Sequence, residues 1–316
     1  MALHPVDEVH ALQIQAGTLG RRAGHEFEDA ITLGVNALRY PLRTEVAAGT
    51  HVFVGDPASL LIQYIAARNG SGIVRRARAL STGALATSED GRRWLSVNGA
   101  NVSRCKSDLV VTATLEDNKE LTVGVSTKQC NNPTPTNAQL YFTTARGFSA
   151  LLQNNGIPVA AASIDALRRF CGDVGFRPSD FPDLLNGRLV DPRRFFWEEI
   201  GPERAQWERI LSAHQSDVTR LLLQKAYLED SLVPEFLLHK TRRTASWSET
   251  ELALYGIEEL IALSARYQGF ATRAYSVRKG SFRDPPGIEH LAPRFGVVQM
   301  QRGGARSNIL SNFSST

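Results

Sequence analysis

The chain has 316 residues, 42% hydrophobic and 22% charged, with 36 Lys or Arg against 32 Asp or Glu and a net charge of +4. These values exclude a low-complexity or disordered chain, allow one elaborated domain or two, and permit a nucleic-acid partner without requiring one. The three cysteines (Cys105, Cys130, Cys171) are an odd set without metal-ligand spacing, which argues for a reducing, cytoplasmic compartment; no apolar run approaches the ~20 residues that cross a bilayer, and no signal-peptide pattern opens the chain.

Residues 8–20 read as a short helix ending near Gly20. A second helix runs from about Arg21 to Arg39, where Pro41 stops it. Phe27, Ala30, Ile31, Gly34, Val35 and Leu38 form its core stripe, and Glu28 lies on the flank, one turn after Gly24. Residues 51–54 read as a short strand. Asp56-Pro57 starts a helix that reaches Arg68 and stops at Asn69-Gly70. Arg75, Arg76 and Arg78 follow on a loop or strand. Ser88-Glu89-Asp90-Gly91 is a hairpin turn signal before a strand over 93–97.

Two segments rich in Val, Thr and Leu then read as strands, 107–112 and 121–129, joined by the polar Glu116-Asp117-Asn118-Lys119. Successive strand side chains point to opposite faces, so Ser126 and Lys128 share one, with Asp108 facing them from the neighbouring strand. An acid and a lysine so placed can hold a divalent metal and a nucleophilic water together. Taken alone, the pair also fits a turn aspartate and an edge lysine. Against the edge reading, Lys128 closes an apolar run and opens a polar, proline-containing loop over 129–137.

This hairpin resembles the active-site hairpin of the PD-(D/E)xK nuclease superfamily, which includes most type II restriction endonucleases. Ser107-Asp108 stands where Pro-Asp is usual, and Ser126-Thr127-Lys128 where (Asp/Glu)-x-Lys is usual. The likeness is close over about residues 100–150. Serine is a poor magnesium ligand, and some members with Ser-x-Lys recruit the missing carboxylate from a helix. Gly24 and Glu28 match the spacing of the family's Gly-x-x-x-Glu-like first helix, whose glutamate points into the metal site. Glu26, Glu28 and Asp29 equally suit a helix N-terminus. The resemblance implies Mg2+ held by Asp108 and Glu28, a water oriented or deprotonated by Lys128, Ser126 in a supporting place, and products with 5′-phosphate and 3′-hydroxyl ends.

Further along, 138–153 reads as a helix with Tyr141, Phe142, Ala145, Phe148, Leu151 and Leu152 on its core face. The apolar run 158–162 suits a buried strand, and 165–171 is helical. Residues 172–200, rich in Pro, Asp, Gly and Arg, mark a boundary. A long helix or a pair follows over 202–228, then a basic segment over 237–243. Ser248-Glu249-Thr250-Glu251 forms a capping box that predicts a helix through Leu252 and Tyr255 to Tyr267. From residue 240 onward there are 11 Lys or Arg against 6 Asp or Glu, so the positive charge gathers at this end. Gln299, Gln301, Arg302, Arg306 and Asn308 alternate with small residues, as a groove-reading strand requires. A solvent-facing edge strand with a glycine turn gives the same pattern. The run from Phe295 to Gly304 also looks like C-terminal segments of restriction endonucleases. Arg278, Lys279 and Arg283 are further expected DNA contacts.

The expectation is an α/β, restriction-endonuclease-like fold: a mixed central sheet flanked by helices, with 1–172 as nuclease core and 173–316 as a helical and basic DNA-recognition extension. The expected function is a magnesium-dependent, sequence-specific double-stranded DNA endonuclease, homodimeric and cytoplasmic. The alternatives are a nuclease of the same type in repair or antiphage defence, without a short palindromic target, and a DNA-binding protein whose site has decayed. No Gly-x-x-x-x-Gly-Lys-(Ser/Thr) loop is present, so no nucleotide cofactor is expected. His-Glu-x-x-His and Gly-x-Ser-x-Gly are absent as well.

Overall fold

The computed structural model describes residues 24–82, 96–97, 100–101, 106–135, 137–224, 232–278, 280–303 and 308–313. The helix expected over 8–20 and the turn at 88–91 lie outside them. In chain order the elements are α1 (24–37), β1 (Leu42–Arg43), β2 (Val52–Gly55), α2 (Pro57–Arg68), β3 (Ile73–Ser81), β4 (Ser96–Val97), β5 (Ala100–Asn101), β6 (Leu109–Leu115) and β7 (Glu120–Gln129). Then come β8 (Ala138–Thr144), α3 (Ala145–Asn154), α4 (Ala161–Cys171), α5 (Glu203–Ala213), α6 (Gln215–Gln224), β9 (Pro234–Lys240) and β10 (Thr250–Gly256). The chain continues with α7 (Ile257–Arg266), β11 (Phe270–Tyr275), β12 (His290–Phe295), β13 (Val298–Gly303) and β14 (Asn308–Phe313).

The chain divides into two units, 1–138 with 223–260, and 139–222 with 261–316. This differs from the expected division at 172. The first unit holds a seven-stranded mixed sheet in the order β1-β3-β6-β7-β9-β10-β2. Every neighbouring pair is antiparallel except β7–β9, which is parallel. Parallel neighbours need a crossover connection, and here residues 130–233, which include the whole first segment of the second unit, supply it.

Local chemistry accounts for the elements that carry this sheet. Asp56 caps α2 by accepting the Ser59 amide at 2.8 Å, with Pro57 in the first position. Such a cap stabilises a helix by ~1 kcal/mol. The β6–β7 hairpin turns at Asn118, whose φ of 64° lies in the left-handed region that Asn tolerates, and Asp117 accepts the Lys119 amide at 2.9 Å. Phe27, Ile31 and Val35, at i, i+4 and i+8 on α1, are buried in a core shared with α2 and one face of the sheet. Each such side chain contributes about 1.5–3 kcal/mol by leaving water. That core fixes α1, and with it Glu28. A methyl added at Gly24 would meet nothing within 4 Å among the described residues, so it is not a close-packing glycine. Gly34 is: a methyl there would lie 2.7 Å from Ala58 Cβ.

The second unit holds a five-stranded sheet in the order β11-β12-β13-β14-β8. Its core includes Phe148 stacked on Trp207 at 6.0 Å, and the Trp207 indole donates to the Ser163 carbonyl at 2.7 Å.

Several elements differ from the sequence reading. Residues 138–144 form a strand before the helix begins at Ala145. The run 158–162 is not a strand, and α4 begins within it at Ala161. Residues 250–256 are strand β10, and the expected helix starts only at Ile257. The region from 173 onward therefore carries strands as well as the helices α5, α6 and α7. It supplies β9 and β10 to the first sheet and β11–β14 to the second. Among the described residues no helix is long and apolar enough to cross a membrane.

Gly124 on β7 shows how closely the strands and the preceding turn approach. A methyl there would strike Ser107 Oγ and come within 2.7 Å of the Val233 carbonyl oxygen. Gly124→Ala is expected to destabilise the protein by about 1–3 kcal/mol, the usual range for overpacking, read as a lower urea midpoint. An unchanged midpoint would contradict the approach.

Candidate active site

The site begins where β6 stops pairing with β7. Leu109 is the first β6 residue in register, opposite Val125. Just before it, the Asp108 amide donates to the Val125 carbonyl at 2.9 Å and the Asp108 carbonyl accepts from Thr82 at 2.9 Å, so the backbone is held on both sides. Two residues beyond Val125 the Thr127 amide faces the same way, past the end of β6. The Asp108 carboxylate takes the place of the missing strand: Oδ2 accepts the Thr127 N–H at 2.6 Å.

The same oxygen accepts Ser126 Oγ at 3.1 Å and Lys128 Nζ at 3.3 Å. Lys128 also donates to Ser126 Oγ at 2.9 Å and to the Thr127 carbonyl at 2.6 Å. An ammonium has three N–H donors, and all three are engaged. Ser126 passes the interaction on, accepting from Lys128 and donating to Asp108. No hydrogen bond reaches Asp108 Oδ1 among the described residues.

Thr127 points to the other face of the strand, the one α1 covers. Its hydroxyl donates to Glu28 Oε1 at 3.4 Å, and Glu28 Oε2 lies 3.2 Å from His25 Nδ1. The structure thus brings Asp108, Ser126, Lys128 and Glu28 around one residue, Thr127. Glu28 is buried, and burial, followed by the nearby charge of Asp108, pushes its carboxyl up to about 7. His25 and Lys128 oppose the rise without cancelling it.

On the far side of β7, Lys128 is in register with His239 of β9. His239 is buried and neither ring nitrogen has a hydrogen-bond partner among the described residues. Burial and the Lys128 charge lower its pKa to about 4, so it stays neutral at physiological pH. The sequence does not single out Thr127, His25 or His239. For Thr127 a signal exists: the residue between Ser126 and Lys128 must face the opposite side of the sheet.

The expected DNA contacts fare differently. Val298 and Met300 are buried and Arg302 shares their face of β13, while Gln299 and Gln301 occupy the other face, half-buried. Arg302 has a side chain only 10% exposed. It donates to the Cys171 carbonyl at 3.1 Å and to Asp191 Oδ2 at 3.3 Å. It is therefore buried and ion-paired, not turned to solvent. Arg278 and Arg283 are exposed. Lys279 and Arg306 lie outside the described residues, and of Asn308 only the backbone is described, in β14.

No protein-family model matches the chain, and no curated protein matches it. Among solved structures, the restriction endonuclease MspI in complex with its cognate DNA aligns over 75% of this chain and 70% of that one, at 10% identity and a TM-score of 0.38. A likeness this distant carries no argument about function, which has to be read from the side chains of the site.

The raised Glu28 pKa has a thermodynamic consequence. In the unfolded chain the group titrates near ~4.3. Folding therefore favours its protonated form, and the contribution is present below that value and lost as pH rises through about 7. Glu28→Gln cannot ionise. In chelator it is expected to be more stable than the parent at pH 8, on the order of 1 kcal/mol, with the advantage gone near pH 4. Thermal unfolding at the two pH values measures it; a pH-independent difference would contradict the assignment.

Proposed function

We propose that the protein is a magnesium-dependent, sequence-specific double-stranded DNA endonuclease of the PD-(D/E)xK type, acting as a homodimer. The observation that carries this reading is the meeting of Asp108, Ser126, Lys128 and Glu28 around Thr127 at the end of the β6–β7 hairpin. It joins the sheet to a helix that brings the carboxylate absent from Ser-x-Lys.

The donor set fits magnesium. That ion takes one or two protein carboxylates and fills its octahedron with water and substrate phosphate. Asp108 and Glu28 would be the protein's share, Glu28 reaching in from the face of β7 that Thr127 occupies. Burial and, after it, the Asp108 charge raise the Glu28 pKa, and a divalent cation would relieve both. Bound there, magnesium would supply Lewis acidity at the scissile phosphate and acidify a water.

The chain's own residues do the rest. Asp108 is fixed by the Thr127 amide through Oδ2, which leaves Oδ1 to meet a metal. Lys128 is held by Ser126 and the Thr127 carbonyl, and its third N–H, now on Asp108, would turn to the attacking water and to charge on the pentacovalent phosphorus once a cation draws the Asp108 carboxylate away. Ser126 steers Lys128 and does not replace a carboxylate. Outside this site, Gln299 and Gln301 offer adenine-reading amides, and the exposed Arg278 and Arg283 offer phosphate contacts.

Purified wild-type protein is expected to cut mixed plasmid DNA in magnesium into discrete bands. A smear would point to a nuclease without a short target, and no cleavage to a DNA-binding protein. Asp108→Ala and Lys128→Ala should each lose roughly 10²-fold or more of the rate while remaining folded. Glu28→Gln should be impaired at least as severely as Ser126→Ala, with DNA binding in calcium retained. Wild-type cleavage by either Asp108→Ala or Lys128→Ala removes the pair from the mechanism.

A further inference from the structure

The second unit gathers several arginines around a single buried carboxylate. Asp191 has a side chain 5% exposed. Arg193 grips it with a fork, Nε to Oδ1 at 2.9 Å and Nη2 to Oδ2 at 3.1 Å. Arg302 reaches Oδ2 at 3.3 Å. Arg194 brings its Nε to 3.8 Å from the same oxygen, too far for a hydrogen bond, and that buried Nε has no hydrogen-bond partner among the described residues. Arg177 donates its Nε to the Gly172 carbonyl at 2.7 Å, and its charge acts on Arg302 together with those of Arg193 and Arg194. The neighbouring Arg188 does not add to the excess, because Glu199 neutralises it through two contacts at 2.8 and 2.9 Å. Of the other acids close by, Glu198 and Asp284 both hydrogen-bond the ring of His290, and Asp173 pairs with Arg168.

We propose that Asp191 and the guanidiniums of Arg177, Arg193, Arg194 and Arg302 form a phosphate-binding site. Guanidinium stays charged at any physiological pH, so three cations lie within 4 Å of one carboxylate, with the charge of Arg177 acting on Arg302 beside them. Buried charge without a counter-charge is costly, and the arrangement is completed by an anion with several acceptor oxygens. Phosphate suits the fork geometry of arginine and meets the unpartnered Arg194 Nε as acceptor. Arg193 gives the way in: its side chain is 49% exposed and lies over the Phe282 ring at 4.5 Å, with Arg194 and Arg302 deeper. Two sources present this chemistry, a phosphate of a nucleic-acid backbone or a free phosphate group. The site lies wholly within 139–222 and 261–316.

The experiment uses full-length wild-type protein and Arg193→Gln. In the first arm, thermal unfolding is followed with inorganic phosphate against sodium chloride of matched ionic strength. Phosphate is expected to raise the wild-type midpoint by several degrees beyond chloride, and the rise in Arg193→Gln to be at most half as large. In the second arm, binding of a duplex in calcium is measured against salt. Loss of one backbone contact lowers the slope of log affinity against log salt by about 0.9. A lower slope in Arg193→Gln assigns the site to nucleic acid; a lost phosphate effect with an unchanged slope assigns it to free phosphate. Should Arg193→Gln not fold, Arg193→Lys keeps the charge, loses the fork, and is read the same way. No phosphate-specific shift in the wild type together with an unchanged slope in the variant overturns the proposal. If the duplex does not bind at all, the nucleic-acid reading fails and the first arm alone decides this site.

Discussion

One hydrogen bond organises the candidate site: the Thr127 amide donating to Asp108. A strand that outruns its neighbour leaves backbone groups unpaired, and inside a protein these demand partners. β7 outruns β6 at this end, and Asp108 supplies the acceptor that β6 no longer can. The carboxylate is thereby fixed by a structural need of the sheet. Ser126 and Lys128 gather on the same oxygen, so the position of each cationic or hydroxylic group follows from that of Asp108. Thr127 carries the arrangement through the sheet to Glu28.

What surrounds this bond would not be chosen for stability alone. A glutamate is buried beside another carboxylate, and a histidine is buried beside a lysine with no partner for its ring among the described residues. Both carry an energetic cost from desolvation and like charge. Groups perturbed in this way cluster at functional sites more often than elsewhere. Here they share one end of one sheet, where β7 and β9 run parallel.

The hairpin is legible in the sequence because its alternation is strict and its loop is polar, and α2 is legible because Asp56-Pro57 and Asn69-Gly70 mark both ends. β10 reads as helix for a definite reason. Ser248 and Glu251 imitate a capping box, and Leu252 and Tyr255 are one helical turn apart. In a central strand covered on both faces the apolar residues need not alternate, so its period is hidden. β8 misleads similarly, since a seven-residue strand running directly into a helix presents one continuous apolar pattern. Arg302 misleads by composition, although parity with Val298 and Met300 places it on the inner face of β13. Glu28 is legible only through the family resemblance, because nothing in its own helix distinguishes it from Glu26 or Asp29. The division into units is hidden because the chain leaves the first sheet after β7 and returns at β9.

That return has a consequence for synthesis. Chains emerge from the ribosome N-terminus first and fold as segments become available. When residue 129 has emerged, β6 and β7 can pair and the Asp108–Lys128 network can close, but β9 is still more than a hundred residues away. Until it arrives, the long apolar edge of β7 lies open, a template for pairing with another nascent chain. The intervening stretch is thus a delay written into the polypeptide, and the sheet end that gathers these side chains acquires its last wall only when His239 has been translated.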